Sequence, residues 1–207
     1  TIPNTLNHHL DVSKVKKERQ ICGGLLILLV FMMSCVFSTL DNAVTFLHAT
    51  GEVNIEEFPR VLLALSGLLG GIIFDFKDRR FMSMIMYCVM LLSTICIVVL
   101  KYSESLLIGL LIFYMISGFF VVFFTASFME IASYMKFPDL WAGLGRAVNN
   151  LAAVILSRSS LVLINSQGNL MVVVLVICLF VIVTIIASTY SLQRKVLIEK
   201  LGESKIV

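Results

Sequence analysis

Apolar residues in this chain are gathered into long runs separated by short polar segments. Six stretches, near 21–48, 60–76, 81–100, 105–131, 143–164 and 170–190, meet or nearly meet the about 20 mostly apolar residues that a helix needs to cross a bilayer. The second is the shortest, but Pro59 suits the first turn of a helix and its far end can extend toward Phe76. The pattern predicts an all-α membrane protein with six transmembrane helices over 21–190, a polar linker or tail at 1–20 and a second tail at 191–207.

Composition points the same way. With 59% apolar and 14% charged residues and a mean hydropathy of +1.00, the chain lacks the roughly 25% charge that covers a soluble surface. The first charged stretch is not followed by a lone short apolar region ending in small residues, so no removable signal peptide is expected, and an opening Thr1 in place of Met suggests a fragment. Cys22, Cys35, Cys88, Cys96 and Cys178 stand singly inside apolar runs and read as small core hydrophobes. His8 and His9 lack the further ligands of a metal site, and no cofactor is expected.

The placement of positive charge gives an orientation. If the N-terminus is cytoplasmic, the inner flanks hold Lys14, Lys16, Lys17, Arg19, Lys77, Arg79, Arg80, Lys136, Arg146, Arg194, Lys195, Lys200 and Lys205, and the outer flanks only Arg60 and Lys101. That is thirteen of sixteen positives inside, which by the positive-inside rule sets both termini in the cytoplasm of a multi-pass protein of the cell (inner) membrane. The outer loop 49–59 carries Glu52, Glu56 and Glu57, which weigh little in orientation and read as solvated.

Polar residues within the spans mark where the bundle needs company. Ser34, Ser38, Asp41, Thr45 and His48 follow one another at spacings of four, three, four and three and share one helical face. Such a stripe belongs against a water-filled pathway or an interhelical seam, because a charge at membrane depth costs a few kcal/mol unless paired or hydrated. Arg158, within the fifth span, needs a partner; Asp41 matches it in predicted depth, while an anionic solute or snorkelling to the outer interface would also serve. Asn149, Asn150 and Ser157 give the fifth span a second polar lining, and Tyr114, Ser117 and Thr125 do so more weakly on the fourth. Gly67 and Gly71, a G-x-x-x-G with Gly70 beside it, form a small-residue surface for close helix contact. The sixth span is apolar all round, as a lipid-facing support would be.

The turn after the second span reads Gly71-Ile-Ile-Phe-Asp75-Phe-Lys-Asp78-Arg79-Arg80. It resembles the signature loop of the major facilitator superfamily, usually G-x-x-x-D-x-x-G-R-[R/K], with Asp78 where a glycine is usual. The resemblance implies a six-helix half of a twelve-helix transporter, the basic lead-in suiting the C-terminal half. It also implies that Gly71, Asp75, Arg79, Arg80 and Glu130 form a cytoplasmic gating motif, with Glu130 as the acid for the arginines and the start of the fifth span near Gly143 receiving the Asp75 carboxylate. The alternative for the same loop is a simple anchor to lipid headgroups.

No phosphate-cradling loop, H-E-x-x-H or G-x-S-x-G occurs, so an enzyme is not expected. The function these features predict is secondary active transport of a small solute by alternating access, with Ser34, Ser38, Asp41, Thr45, Asn150 and Arg158 along the translocation pathway. The expected partners are that solute, a coupling proton or sodium ion, membrane lipid and the other six-helix half, with no nucleic acid. The alternative is a non-transporting membrane scaffold or receptor-like bundle.

Overall fold

The structure is a computed structural model that describes residues 4–51, 58–75, 87, 89, 91–93, 95, 106–165 and 169–203. The side chains at 4–14, 43, 47, 58–60, 106–107, 156–165, 169–177 and 202–203 fall outside the description. Five helices carry almost all of it: α1 (Asn4–Ala49), α2 (Phe58–Asp75), α3 (Leu106–Ala132), α4 (Pro138–Asn165) and α5 (Asn169–Glu203). The described residues between 87 and 95, which belong to the expected third span, are helical too, and no strand occurs among the described residues. Most of that third span, the outer-loop glutamates and the signature-loop residues Lys77, Asp78, Arg79 and Arg80 lie outside the described residues.

Among the described residues three helices are long and apolar enough to cross a membrane, over Val15–Phe46, Ile108–Ala132 and Cys178–Leu201, and Val61–Asp75 is a shorter apolar helix. The chain is thus a helical membrane protein. Two helices continue well past the expected spans. Charged residues are good helix formers, so α1 begins far ahead of residue 21, at Asn4, and α5 runs on from residue 190 to Glu203. α1 ends where Thr50 N–H donates to the Phe46 carbonyl and Gly51 N–H to that of His48, both at 3.0 Å. Gly51 adopts φ +79°, a left-handed terminus open to glycine. α4 starts at Pro138, whose fixed φ and missing N–H suit a first turn, with Asp139 favourable at the positive end of the helix dipole. It therefore begins ahead of its apolar stretch, and Arg146, assigned from sequence to an inner flank, stands two turns inside the helix.

The core is aromatic and centres on α3, which packs against α1, α2 and α4. Phe120 stacks on Phe37 of α1 with centroids 4.3 Å apart and meets Phe124 edge-on at 5.2 Å. Phe123 tilts against Phe74 of α2, and Phe128 stacks with Trp141 of α4. On α1 the buried ridge runs through Cys22, Leu26, Leu29, Met33, Phe37, Leu40 and Val44, steps of three and four that keep one face inward.

Close backbone approach sets the crossing of α2 with α3. A Cβ placed on Gly118 would come within 2.6 Å of the Leu63 carbonyl oxygen and 2.8 Å of the Gly67 nitrogen. Ser66, Gly70 and Phe74 complete the facing row on α2, each buried, whereas a Cβ on Gly71 would meet nothing within 4 Å. The small-residue surface read in the sequence is present, but its inward members are Ser66, Gly67 and Gly70. A second close approach puts Gly23 of α1 under Trp141, whose ring carbon Cζ3 would lie 2.8 Å from an added Cβ.

Gly118→Leu is therefore expected to separate α2 from α3 and lower stability by more than about 3 kcal/mol, beyond the roughly 1–3 kcal/mol typical of added methylenes. Gly71→Leu should stay near wild type. Thermal unfolding of both variants in detergent checks this, and equal losses would place the contact elsewhere.

Candidate functional site

α1 and α4 run side by side in the same direction. Arg19 donates to the Tyr134 carbonyl at 3.2 Å, and Ser34 Oγ donates to Asn149 Oδ1 at 2.9 Å, both with a sequence offset of 115. Ser34 is 2% exposed, so its hydroxyl and the half-buried Asn149 amide satisfy each other within the apolar slab, where an unmatched polar group is costly. Tyr134 lies in the turn joining α3 to α4, which Ser133 closes by donating to the Glu130 carbonyl at 2.7 Å.

Above Ser34 the polar stripe changes character. Ser38 is half-buried, Asp41 and Thr45 are exposed, and His48 is half-buried. The stripe lies about 100° round α1 from the core ridge, with Ser34, Ser38, Asp41 and Thr45 each following a ridge residue by one. Its lower end meets α4, and its upper end opens to the surroundings. Carrying the 115-residue offset upward sets position 156 of α4 level with Asp41, two residues short of Arg158. The Arg158 side chain lies outside the described residues. On α4, Asn149 turns inward to Ser34 while Asn150, one residue on, is exposed with Arg146 a turn below it.

A separate ionic cluster closes the basic end of the bundle. Glu130 Oε1 accepts from Arg194 Nη2 at 2.7 Å and from Nε at 3.0 Å, with side-chain exposures of 11% and 14%. Buried Tyr190, Ser127 and Cys22 surround that pair. Nearly two turns further along α5 Lys200 donates to Glu18, joining α5 to α1. Leu197, between the two pairs, is buried. The cluster thus binds α1, α3 and α5 together at one end.

The signature-loop residues divide. Asp75 is the last residue of α2 and exposed, Gly71 is half-buried one turn before it, and Arg79 and Arg80 lie outside the described residues. Glu130, the acid expected for those arginines, is held by Arg194. Sequence reading placed Arg194 and Lys200 on the inner flank, within the tail 191–207, and passed over Glu18. The signal was available: Val183, Ala187, Tyr190, Arg194 and Leu197 continue one ridge at three- and four-residue steps, so Arg194 occupies a core position. Among the described residues no group of three or more His, Cys, Asp or Glu is placed to hold a metal ion.

Comparison of the chain with protein-family models, with curated proteins and with solved structures finds no match.

Arg194→Ala leaves a buried carboxylate without its cation, a change that costs about 3–5 kcal/mol in buried pairs. The expected result is faster tryptic cleavage at Lys195 in detergent, with partial protection restored by the reversed pair Glu130→Arg/Arg194→Glu. Cleavage at the wild-type rate in Arg194→Ala would show that the pair does not hold the end of α5.

Proposed function

We propose that this chain is one six-helix half, the C-terminal one, of a secondary transporter of the major facilitator type. It carries a small solute across the cell membrane by alternating access, with both of its termini cytoplasmic. One observation carries the reading. Asp41 and Thr45 on α1, and Arg146 and Asn150 on α4, are exposed and form no hydrogen bond or ion pair among the described residues. Lipid does not accept such a surface, because a charge at the centre of a bilayer-spanning helix costs at least about 2.5–3.5 kcal/mol. A second half that leaves a water-filled passage between the two bundles removes that cost, and solute sites in such transporters lie near the midplane between halves.

The parts then take roles. Ser34 and Asn149 brace α1 on α4 below the passage, and Ser38, Asp41, Thr45 and Asn150 line it, with Arg158 near the outer end. Asp41 is the carboxylate for a coupling proton or sodium ion, since Glu130 is already engaged by Arg194. At the cytoplasmic side the Glu130–Arg194 and Glu18–Lys200 pairs hold the bundle as one body during rocking. Asp75, exposed at the end of α2, together with Arg79 and Arg80 gates against the other half.

Single cysteines placed in a cysteine-free version of the intact protein test the passage through labelling by a membrane-impermeant thiol reagent. Asp41→Cys, Thr45→Cys and Asn150→Cys are expected to label, and Leu40→Cys and Val44→Cys, on the buried ridge, to be protected. Protection of all five would point instead to a dry, non-transporting scaffold or receptor-like bundle.

A further inference from the structure

Among the exposed polar groups, Arg146 is the one whose position asks for a ligand. The 115-residue offset between α1 and α4 sets it level with Phe31, ten residues beyond Ile21 and hence about 15 Å along α1 from the start of its continuous apolar stretch. That is half the thickness of a typical hydrocarbon core of about 30 Å. The packing of α4 on α3 also sets it inside the slab: a Cβ on the neighbouring Gly145 would lie 2.7 Å from Phe128 and 3.1 Å from Phe124, which stand about 6 and 12 Å in from the end of the apolar span Ile108–Ala132. Arg146 is therefore a cationic group within the apolar slab, about 12 Å along α4 from its start at Pro138.

Among the described residues no protein anion answers it. Arg146 forms no ion pair among the described residues, and Asp139, on the same side of α4, stands seven residues away, about 10 Å along the axis. The surroundings leave room. Gly143 and Ala147 are exposed, and a Cβ on Gly143 would meet nothing within 4 Å. Asn150, one turn above on the same face, adds an amide donor with no partner of its own among the described residues.

We infer that Arg146 and Asn150 form the binding subsite for an oxyanion group, carboxylate or phosphate, of the transported solute. The guanidinium fork matches the two oxygens of such a group, and the Asn150 amide donates to one of them from above. The solute is thus an organic or inorganic anion, and its charge neutralises a cation that has no protein counter-charge among the described residues. The inference rests on the passage reading of this face and adds to it the chemical class of the cargo.

The test uses the intact protein in nanodiscs of pure phosphatidylcholine, with radiolabelled inorganic phosphate and acetate as separate probes. Saturable binding of either is expected. It should weaken at least about tenfold in Arg146→Gln and about three- to tenfold in Asn150→Ala and Arg146→Lys, and be unchanged in Lys136→Gln. Because Arg146 is exposed, Arg146→Gln should unfold at the wild-type temperature, which separates lost binding from lost structure. Absence of binding by both probes, or binding indifferent to Arg146→Gln, overturns the inference. So does a phosphatidylglycerol molecule retained by wild type but not by Arg146→Gln, seen by native mass spectrometry from mixed-lipid discs without binding of either soluble probe, which would assign the cation to a lipid headgroup. Labelling of Asn150→Cys alongside failed anion binding would sink the oxyanion subsite while leaving the passage standing; protection of Asn150→Cys would sink both.

Discussion

A helix in hydrocarbon gains little by exchanging lipid for a neighbour, so what decides its neighbours is how closely two backbones can approach. In this protein that approach is made at Gly118 against Leu63, Ser66 and Gly67, and again at Gly23 under Trp141. Large aromatic rings then fill the space that the glycines bring within reach. Phe120, Phe123, Phe124 and Phe128 radiate from α3 to touch α1, α2 and α4, which makes α3 the post around which these three are set, while α5 packs on α1.

Polar groups inside this framework fall into two kinds. Some are closed on each other: Ser34 with Asn149, Glu130 with Arg194, Lys200 with Glu18. Others, Asp41, Thr45, Arg146 and Asn150, are turned outward with no partner among the described residues. The first kind hold the bundle together, and the second kind give it something to do. The division follows helix rotation, since Asn149 and Asn150 differ by a single step of about 100° yet belong to opposite kinds.

Much of this was legible in the sequence. The helical membrane class followed from the apolar runs, and the five members of the α1 stripe from their spacing. The small-residue face of α2 was visible, but Gly71 and Gly67 fit the familiar four-residue spacing equally well whichever side of the helix α3 takes, and only the partner's position selects Ser66, Gly67 and Gly70. Helix ends were the least legible. Hydropathy falls at Arg19 and at Arg194, yet helices continue through both, because lysine, arginine and glutamate propagate a helix well. Reading an end where the apolar run stops hid the ridge that carries Arg194 to Glu130, and it set Arg146 at a flank when Pro138 had already started the helix below it. The passage and gate assignments depend on which faces meet across two bundles, and one chain's pattern encodes only its own side.

α1 is one uninterrupted helix of 46 residues, about 69 Å end to end, and it contains no proline after its start at Asn4. Its lower third carries the basic residues and the grip on α5, and its upper third carries Asp41 and Thr45. The helix runs unbroken through the Gly23-Gly24 pair, where Gly23 is packed under Trp141. A lipid, protein or covalent modification that turns the charged lower end by a few tens of degrees would swing the Asp41 face by a similar angle, so the bundle has a mechanical handle on one side of the membrane for a surface presented near the other.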